Sequence, residues 1–304
     1  MSSISKPAWQ KRDTGLTIRM IFSFAILTLL YLIFLSVLSY LGIGFIPIII
    51  IASAMILAQW YFSDKIVLWS SGAKLVSKEQ EPELHELIER TIARNNIPKP
   101  RIAIIETSMP NAFATGRGQK SSVIAVTRGL LQILDKEELE GVIAHELTHI
   151  RNHDALVLTL ASLFSTVAWY LMQFGFYGGL YGGYGSGGRD RNGGGMMLII
   201  LLVAMLTWVI SFLIIRAISR YREFAADRGS AQMTGKPVKL ANALLKISGT
   251  MKRIPTKDLR QVEGLNAFFI VPALSGSTIG NLFSTHPPVE RRVQKLMEME
   301  ASMS

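Results

Sequence analysis

The sequence contains no cysteine. Disulfides, a thiolate-bound metal and a thiol nucleophile are therefore excluded, and any metal must sit on histidine and carboxylate ligands. The absence of disulfides fits a reducing compartment. Histidine is scarce too, five in 304 residues. Acid is the scarcer sign of charge, with 22 Asp and Glu against 32 Lys and Arg and a net charge of +10. Charge of either sign is missing from three long stretches, Met20 to Ser63, Ala155 to Gly188 and Asn192 to Ile215. Mean hydropathy is accordingly positive, +0.32, and a bilayer is the natural solvent for such runs. Many of the lysines and arginines flank these runs, where positive charge fixes orientation against the cytoplasmic face. The basic excess therefore does not point to nucleic acid.

The charge-free stretches divide the chain. Residues 1–19 form a polar, cytoplasmic N-terminal segment carrying Lys6, Lys11, Arg12 and Arg19. No small-residue cleavage site closes the apolar run behind it, so the run reads as an anchor and not as a removable signal peptide. Residues 20–63 are long enough for a transmembrane hairpin of two spans, turning at Gly42, Gly44 and Pro47. Residues 155–177 make a third span, 178–195 a Gly-rich, low-complexity loop on the far side, and 196–215 a fourth span. The segments 64–154 and 216–304 then form two parts of one domain. Basic residues before the first span and Lys65, Lys74 and Lys78 after the second place both termini and this domain in the cytoplasm. Arg189 and Arg191 in the loop run against that orientation, but Arg216, Arg220, Arg222 and Arg228 outweigh them.

The chemistry is concentrated at His145-Glu146-Leu147-Thr148-His149, an H-E-x-x-H match. Asp135 with Glu138 reads as a capping box, and Leu139, Val142, Ile143 and Leu147 follow at helical spacing. Residues four apart share a helix face, so His145 and His149 can both aim a ring nitrogen at one ion. Glu146 sits beside that ion, where a carboxylate can take a proton from water acidified by the metal. Glu223 and Asp227 form a second i, i+4 pair beyond the fourth span. At about 1.5 Å per residue, Glu223 lies roughly 12 Å past Ile215 and His149 roughly 9 Å before Ala155, which brings them to similar depth. Glu223 is thus the expected third ligand, with Asp227 orienting a histidine N–H. His153 is the rival. On a straight helix it lies about 12 Å from His145, and the glycine break that would bring a third histidine round is not there. We therefore expect His153 to face solvent or to support the site from outside.

Elsewhere the patterns are more ordinary. A helix is expected through Glu83 to Ile88, with His85 solvated. Residues 101–105 and 121–126 read as strands bracketing 111–118, a small edge hairpin able to hold an extended peptide by main-chain pairing. Helices follow at Lys239 to Ile247 and, after Ser284-Thr285-His286-Pro287-Pro288, at Val289 to Met299. The whole reads as a mainly α integral membrane protein of about four transmembrane helices, with a cytoplasmic α+β metalloprotease domain.

The ordered set of paired N-terminal spans, Asn111-Ala112-Phe113-Ala114, His145-Glu146-Leu147-Thr148-His149, Glu223-Phe224-Ala225-Ala226-Asp227 and Thr285-His286-Pro287 resembles the HtpX family of membrane zinc endopeptidases, over nearly the whole chain. The resemblance implies a gluzincin-like domain with one Zn2+ per chain on His145, His149 and Glu223. It implies Glu146 as catalytic base, Asp227 supporting the ligands, and Asn111 and His286 facing substrate or the tetrahedral intermediate. It also implies polypeptide substrates, among them damaged or misfolded membrane proteins, cut at the cytoplasmic face. The long Gly-rich loop and Phe268-Phe269-Ile270-Val271 fit no motif of that family. Two alternatives share the zinc constellation: a protease for prenylated CAAX proteins and a non-catalytic membrane adaptor. A site-2-type intramembrane protease fits less well, because Lys136, Glu137, Glu138, Glu140 and Arg151 hold the motif outside hydrocarbon.

Overall fold

The computed structural model describes residues 14–40, 46–93, 95, 97–159, scattered positions between 161 and 173, 193–254, 270–271 and 286–303. The hairpin turn at 41–45, most of the expected third span and residues 178–192 of the Gly-rich loop lie outside them. Two compact units are formed, one drawing on 62–156 and 219–304 and the other on 17–61 and 157–218.

The second unit is helical and apolar. Helix α1 spans Thr14–Tyr40 and α2 Ile46–Ser71. Leu27, Ala161 and Ile218 are fully buried together, with Val157, Leu158, Ile214 and Ile215 packed around them. Outward-facing Phe22, Leu29 and Ile33 are more than half exposed, as side chains that face lipid are. Among the described residues, Thr17–Val37 and Leu201–Thr234 are long and apolar enough to cross a bilayer, with a third crossing if the broken pair Ile49–Phe62 and Asp64–Ser71 forms one span. The 34 residues of Leu201–Thr234 extend about 51 Å, well over the hydrocarbon thickness of about 30 Å. The charged end of that helix therefore projects beyond the lipid core.

The first unit is built on a four-stranded sheet of order β1-β2-β4-β3. Its strands are β1 (Lys74–Leu75), β2 (Arg101–Ile105), β3 (Ala112–Thr115) and β4 (Val123–Thr127). The strands at 101–105 and 121–126 do not make an edge hairpin; β2 and β4 pair in parallel, Ile102 opposite Ile124. The segment between them supplies β3, antiparallel to β4 with Ala114 opposite Ile124. The reason lies in burial on both faces, which suits a central parallel pair. Ile102, Ile104, Ile124 and Val126 face the main core, while Ala103, Val123 and Ala125 face Val67 at the end of α2, with Phe113 of β3. Among the described residues, edge strand β3 is left open on one side.

Helix α3 (Pro82–Ala93) leads into the sheet, and α4 (Arg128–Ile133) and α5 (Lys136–Arg151) follow it. His85 is not solvated as its surroundings suggested. It is buried, with Nε2 3.1 Å from the Val76 carbonyl. The capping box of α5 forms as expected: Asp135 Oδ1 accepts from the N–H groups of Glu137 and Glu138, and Glu138 Oε2 accepts from Asp135 N–H. From Gly141 to Thr148 every residue of α5 is buried. Each fully buried Leu such as Leu147 contributes about 1.5–3 kcal/mol, so this helix is the centre of the domain.

The part of helix α6 (Gly193–Thr234) from Ser219 on, α7 (Pro237–Met251) and α8 (Val289–Ala301) complete the unit. Small residues let them approach α5 closely. A Cβ on Gly141 would meet the Leu240 backbone at 3.1 Å, and one on Gly229 would meet Thr148 Cγ2 and Oγ1 at 2.3 Å. Ser230 Oγ donates to Gly141 O at 2.7 Å, tying α6 to α5. Gly229→Ala is therefore expected to destabilise the domain by about 1–3 kcal/mol, with relief in the double variant that adds Thr148→Ala. Thermal melting checks this, and a wild-type melt for Gly229→Ala would show that the helices part without cost.

Candidate metal centre

His145 and His149 stand one turn apart on α5, their rings edge to face at 4.7 Å between centroids. The Nε2 atoms are 3.1 Å apart. From the last turns of α6, Glu223 Oε1 lies 3.4 Å from His149 Nε2 and Oε2 lies 3.6 Å from His145 Nε2. Atoms about 2 Å from an ion in tetrahedral arrangement are about 3.3 Å from one another, so these separations fit a zinc-sized cation.

The other nitrogen of each ring explains why a cation is called for. His145 Nδ1 faces Asp227 Oδ1 at 3.1 Å, in a contact bent from ideal hydrogen-bond alignment. His149 Nδ1 is in short contact with Asp154 Oδ2. A carboxylate only accepts, so each Nδ1 carries the proton and each Nε2 presents a lone pair. Two lone pairs and a carboxylate then converge in a buried space, a donor set that a divalent ion satisfies. Burial pulls the His145 pKa down, but the carboxylates of Asp227 and Glu223 outweigh it and the net direction is up.

Asp227 is itself gripped. Arg292 of α8 donates from Nε to Asp227 Oδ2 at 2.9 Å and from Nη2 to Oδ1 at 2.7 Å. Its Nη1 donates to Ile270 O at 2.7 Å and lies 3.3 Å from Glu223 Oε2, and its Nη2 comes within 3.5 Å of His145 Nε2. This guanidinium is fully buried. Burial alone would depress its pKa, and the carboxylates of Asp227 and Glu223 reverse the shift.

Glu146 is buried beside the histidines, and its carboxylate accepts from the backbone of Ala114 on β3. Burial pushes its pKa up, against the opposing pull of His149 and His145. His286 joins the cluster, with Nδ1 3.0 Å from Glu223 Oε2. Asn111 stands just ahead of β3, fixed from two sides. Its backbone N–H donates to Thr127 Oγ1, which donates back to Asn111 O, and its Oδ1 accepts from Ile270 N–H at 3.0 Å. The backbone of Ile270 thus bridges Asn111 and Arg292.

The rival ligand, His153, faces solvent as expected, but the helix around it is broken. Helix α5 ends at Arg151, His153 takes a left-handed φ of 56°, and helical structure resumes at Asp154. The sequence pattern predicted unbroken helix here. His153 itself is exposed, and what the break delivers to His149 is Asp154. On a straight helix a residue five positions on points about 140° away around the axis. His153→Gly is therefore expected to keep metal content and turnover, since glycine adopts this conformation without strain. Lost metal in that variant would restore His153 as a ligand.

Sequence reasoning passed over Asp154, Arg222 and Arg292. Arg292 did leave a signal, because Val289, Arg292 and Leu296 fall at i, i+3 and i+7 on the face that α8 buries.

Residues 78–300 match peptidase family M48. The chain belongs to peptidase family M48. It is 52% identical over 299 residues to Protease HtpX homolog 2 of Methanosarcina mazei, covering 98% of this chain and 100% of that protein. It is 54% identical over 291 residues to the Protease HtpX homolog of Moorella thermoacetica, covering 96% of each. Among solved structures, S. mikatae Ste24p shares the fold with TM-score 0.56 at 19% identity, over 92% of this chain. The chain spans 65% of the length of that structure. An M48 chain with these apolar helices is a membrane-bound metalloendopeptidase acting on polypeptides.

Proposed function

We propose that this M48 peptidase binds one zinc ion on His145, His149 and Glu223 and cuts damaged or misfolded membrane proteins at the cytoplasmic face. The observation that carries the metal assignment is the convergence of the two Nε2 atoms and Glu223 at 3.1, 3.4 and 3.6 Å. Bound there, zinc would supply Lewis acidity for a scissile carbonyl and for water. Glu146 takes the proton of the attacking water and later passes it to the leaving amine. Its burial raises its proton affinity, which suits a group that must hold a proton between the two steps. His286, beside Glu223, and Asn111, at the head of β3, would hydrogen-bond the oxyanion. The open edge of β3, whose Ala114 reaches Glu146, offers an extended polypeptide main-chain pairing with loose demands on its side chains.

The orientation rests on charge. Lysines and arginines cluster at residues 1–19, 65–78 and 216–228, which favours a cytoplasmic domain assembled from 64–154 and 216–304.

Cleavage of casein by the detergent-purified chain, with zinc assayed in parallel, tests the activity. A strong chelator is expected to abolish cleavage and zinc to restore it. Cleavage that survives complete metal removal would sink the proposal, and cleavage confined to prenylated peptides would move the CAAX reading ahead.

A further inference from the structure

Both histidines on α5 hand their Nδ1 to an aspartate, and each aspartate is held by a buried arginine. For His145 the partners are Asp227 and Arg292, on α6 and α8. For His149 they are Asp154 and Arg222: Asp154 Oδ2 contacts His149 Nδ1 and pairs with Arg222 Nη2 at 2.7 Å. Asp154 and Arg222 are 6% and 4% exposed. Arg222 immediately precedes Glu223 on α6, so Asp154 reaches one proposed ligand directly and the backbone of another through a single arginine. We propose that Asp154, clamped by Arg222, is a positioning residue for His149, fixing its tautomer and aiming its Nε2 at the metal. The proposal rests on the zinc reading above.

The physical case has two parts. A carboxylate on Nδ1–H makes the opposite nitrogen a better donor and halts ring rotation. Arg222 holds that carboxylate in place, through a contact shared on one oxygen. The ordinary alternative is that Asp154 merely starts the helix that resumes after His153. Asparagine caps helix starts as well as aspartate does and is nearly isosteric with it, so Asp154→Asn separates the two roles.

The experiment measures metal affinity of the full chain in detergent, by chelator competition with zinc and by the visible spectrum of the cobalt-substituted protein. Asp154→Asn is expected to weaken zinc binding about 10–100-fold, to alter the cobalt spectrum and to lower kcat, while the metal-free chain keeps its folded far-UV signal. Zinc affinity within threefold of wild type together with an unchanged cobalt spectrum would overturn the proposal. Arg222 Nε and Nη1 find no hydrogen-bond partner among the described residues, so loss of the Asp154 charge removes the ion pair of a buried guanidinium. Should Asp154→Asn fail to fold, the double variant Asp154→Asn with Arg222→Met removes that charge, and the same shift in zinc affinity is expected. Asp64→Asn is the control: Asp64 is buried and accepts from Arg101 Nη2 at 2.9 Å. It should lower the melting temperature and leave zinc affinity unchanged. Wild-type protein that binds no metal would remove the zinc reading itself, an outcome distinct from variants that bind as tightly as wild type.

Discussion

Glu146→Gln is expected to bind zinc like the wild type and to lose about two to four orders of magnitude in kcat. The substitution keeps the size and shape of the side chain. It also keeps an oxygen that can accept from the Ala114 backbone, so the local packing has no reason to change. What disappears is the basic carboxylate next to His145 and His149. An amide cannot take a proton from water and return it to the departing amine, and in its absence both steps fall back on solvent. Zinc content is the deciding companion measurement. Full zinc with turnover near the wild-type rate would remove Glu146 from the base role and move attention to other groups near the site, His286 first. Loss of zinc together with turnover would show instead that Glu146 helps to hold the ligands.

The second large effect is expected at Arg292, 65 residues from the Asp227 that it grips. Arg292→Met should cost about 3–5 kcal/mol, because removing one partner of a buried ion pair leaves the other uncompensated. Here Asp227 loses both donors at 2.9 and 2.7 Å, and the Ile270 carbonyl loses its donor as well. For a domain of this size that corresponds to a fall in melting temperature of about ten degrees. Arg292→Lys should recover only part of the loss. A single ammonium cannot reproduce two parallel bonds to one carboxylate while also reaching a carbonyl. Thermal unfolding of the purified chain with and without zinc decides the matter. A melt of Arg292→Met within two degrees of wild type would show that α8 is held by its apolar residues, Val289 and Leu296, and that the guanidinium is dispensable for the fold.

The two expected results differ in how they were reached. Glu146 was legible in the sequence, because it belongs to a motif confined to one helix. Period and spacing along one helix are local properties: His145 and His149 share a face wherever that helix lies, and the capping box at Asp135 and Glu138 announces its start. The same holds for the pairing of Glu223 with Asp227, for helix α8 behind Pro287 and Pro288, and for the charge-free runs that ask for lipid. What joins these pieces was not local. Strand alternation reported that residues 101–105 and 121–126 are strands, but the partner of each depends on which faces are covered. The covering residues, Val67 on one side and α5 on the other, come from elsewhere in the chain. The helix break at His153 follows from no strong sequence signal. Only the folded chain shows that it swings Asp154 under His149.

Sequence by itself thus determined the family chemistry of this protein, the helices that carry the proposed ligands and base, and the apolar runs that ask for lipid. These follow from residue identity and from intervals of three, four and seven along one chain. The tertiary structure decided how the ligands are held. Asp154, Arg222 and Arg292 act across gaps of 5, 68 and 65 residues, on His149, Asp154 and Asp227. Burial alone makes such charges worth satisfying, and burial belongs to the packed chain.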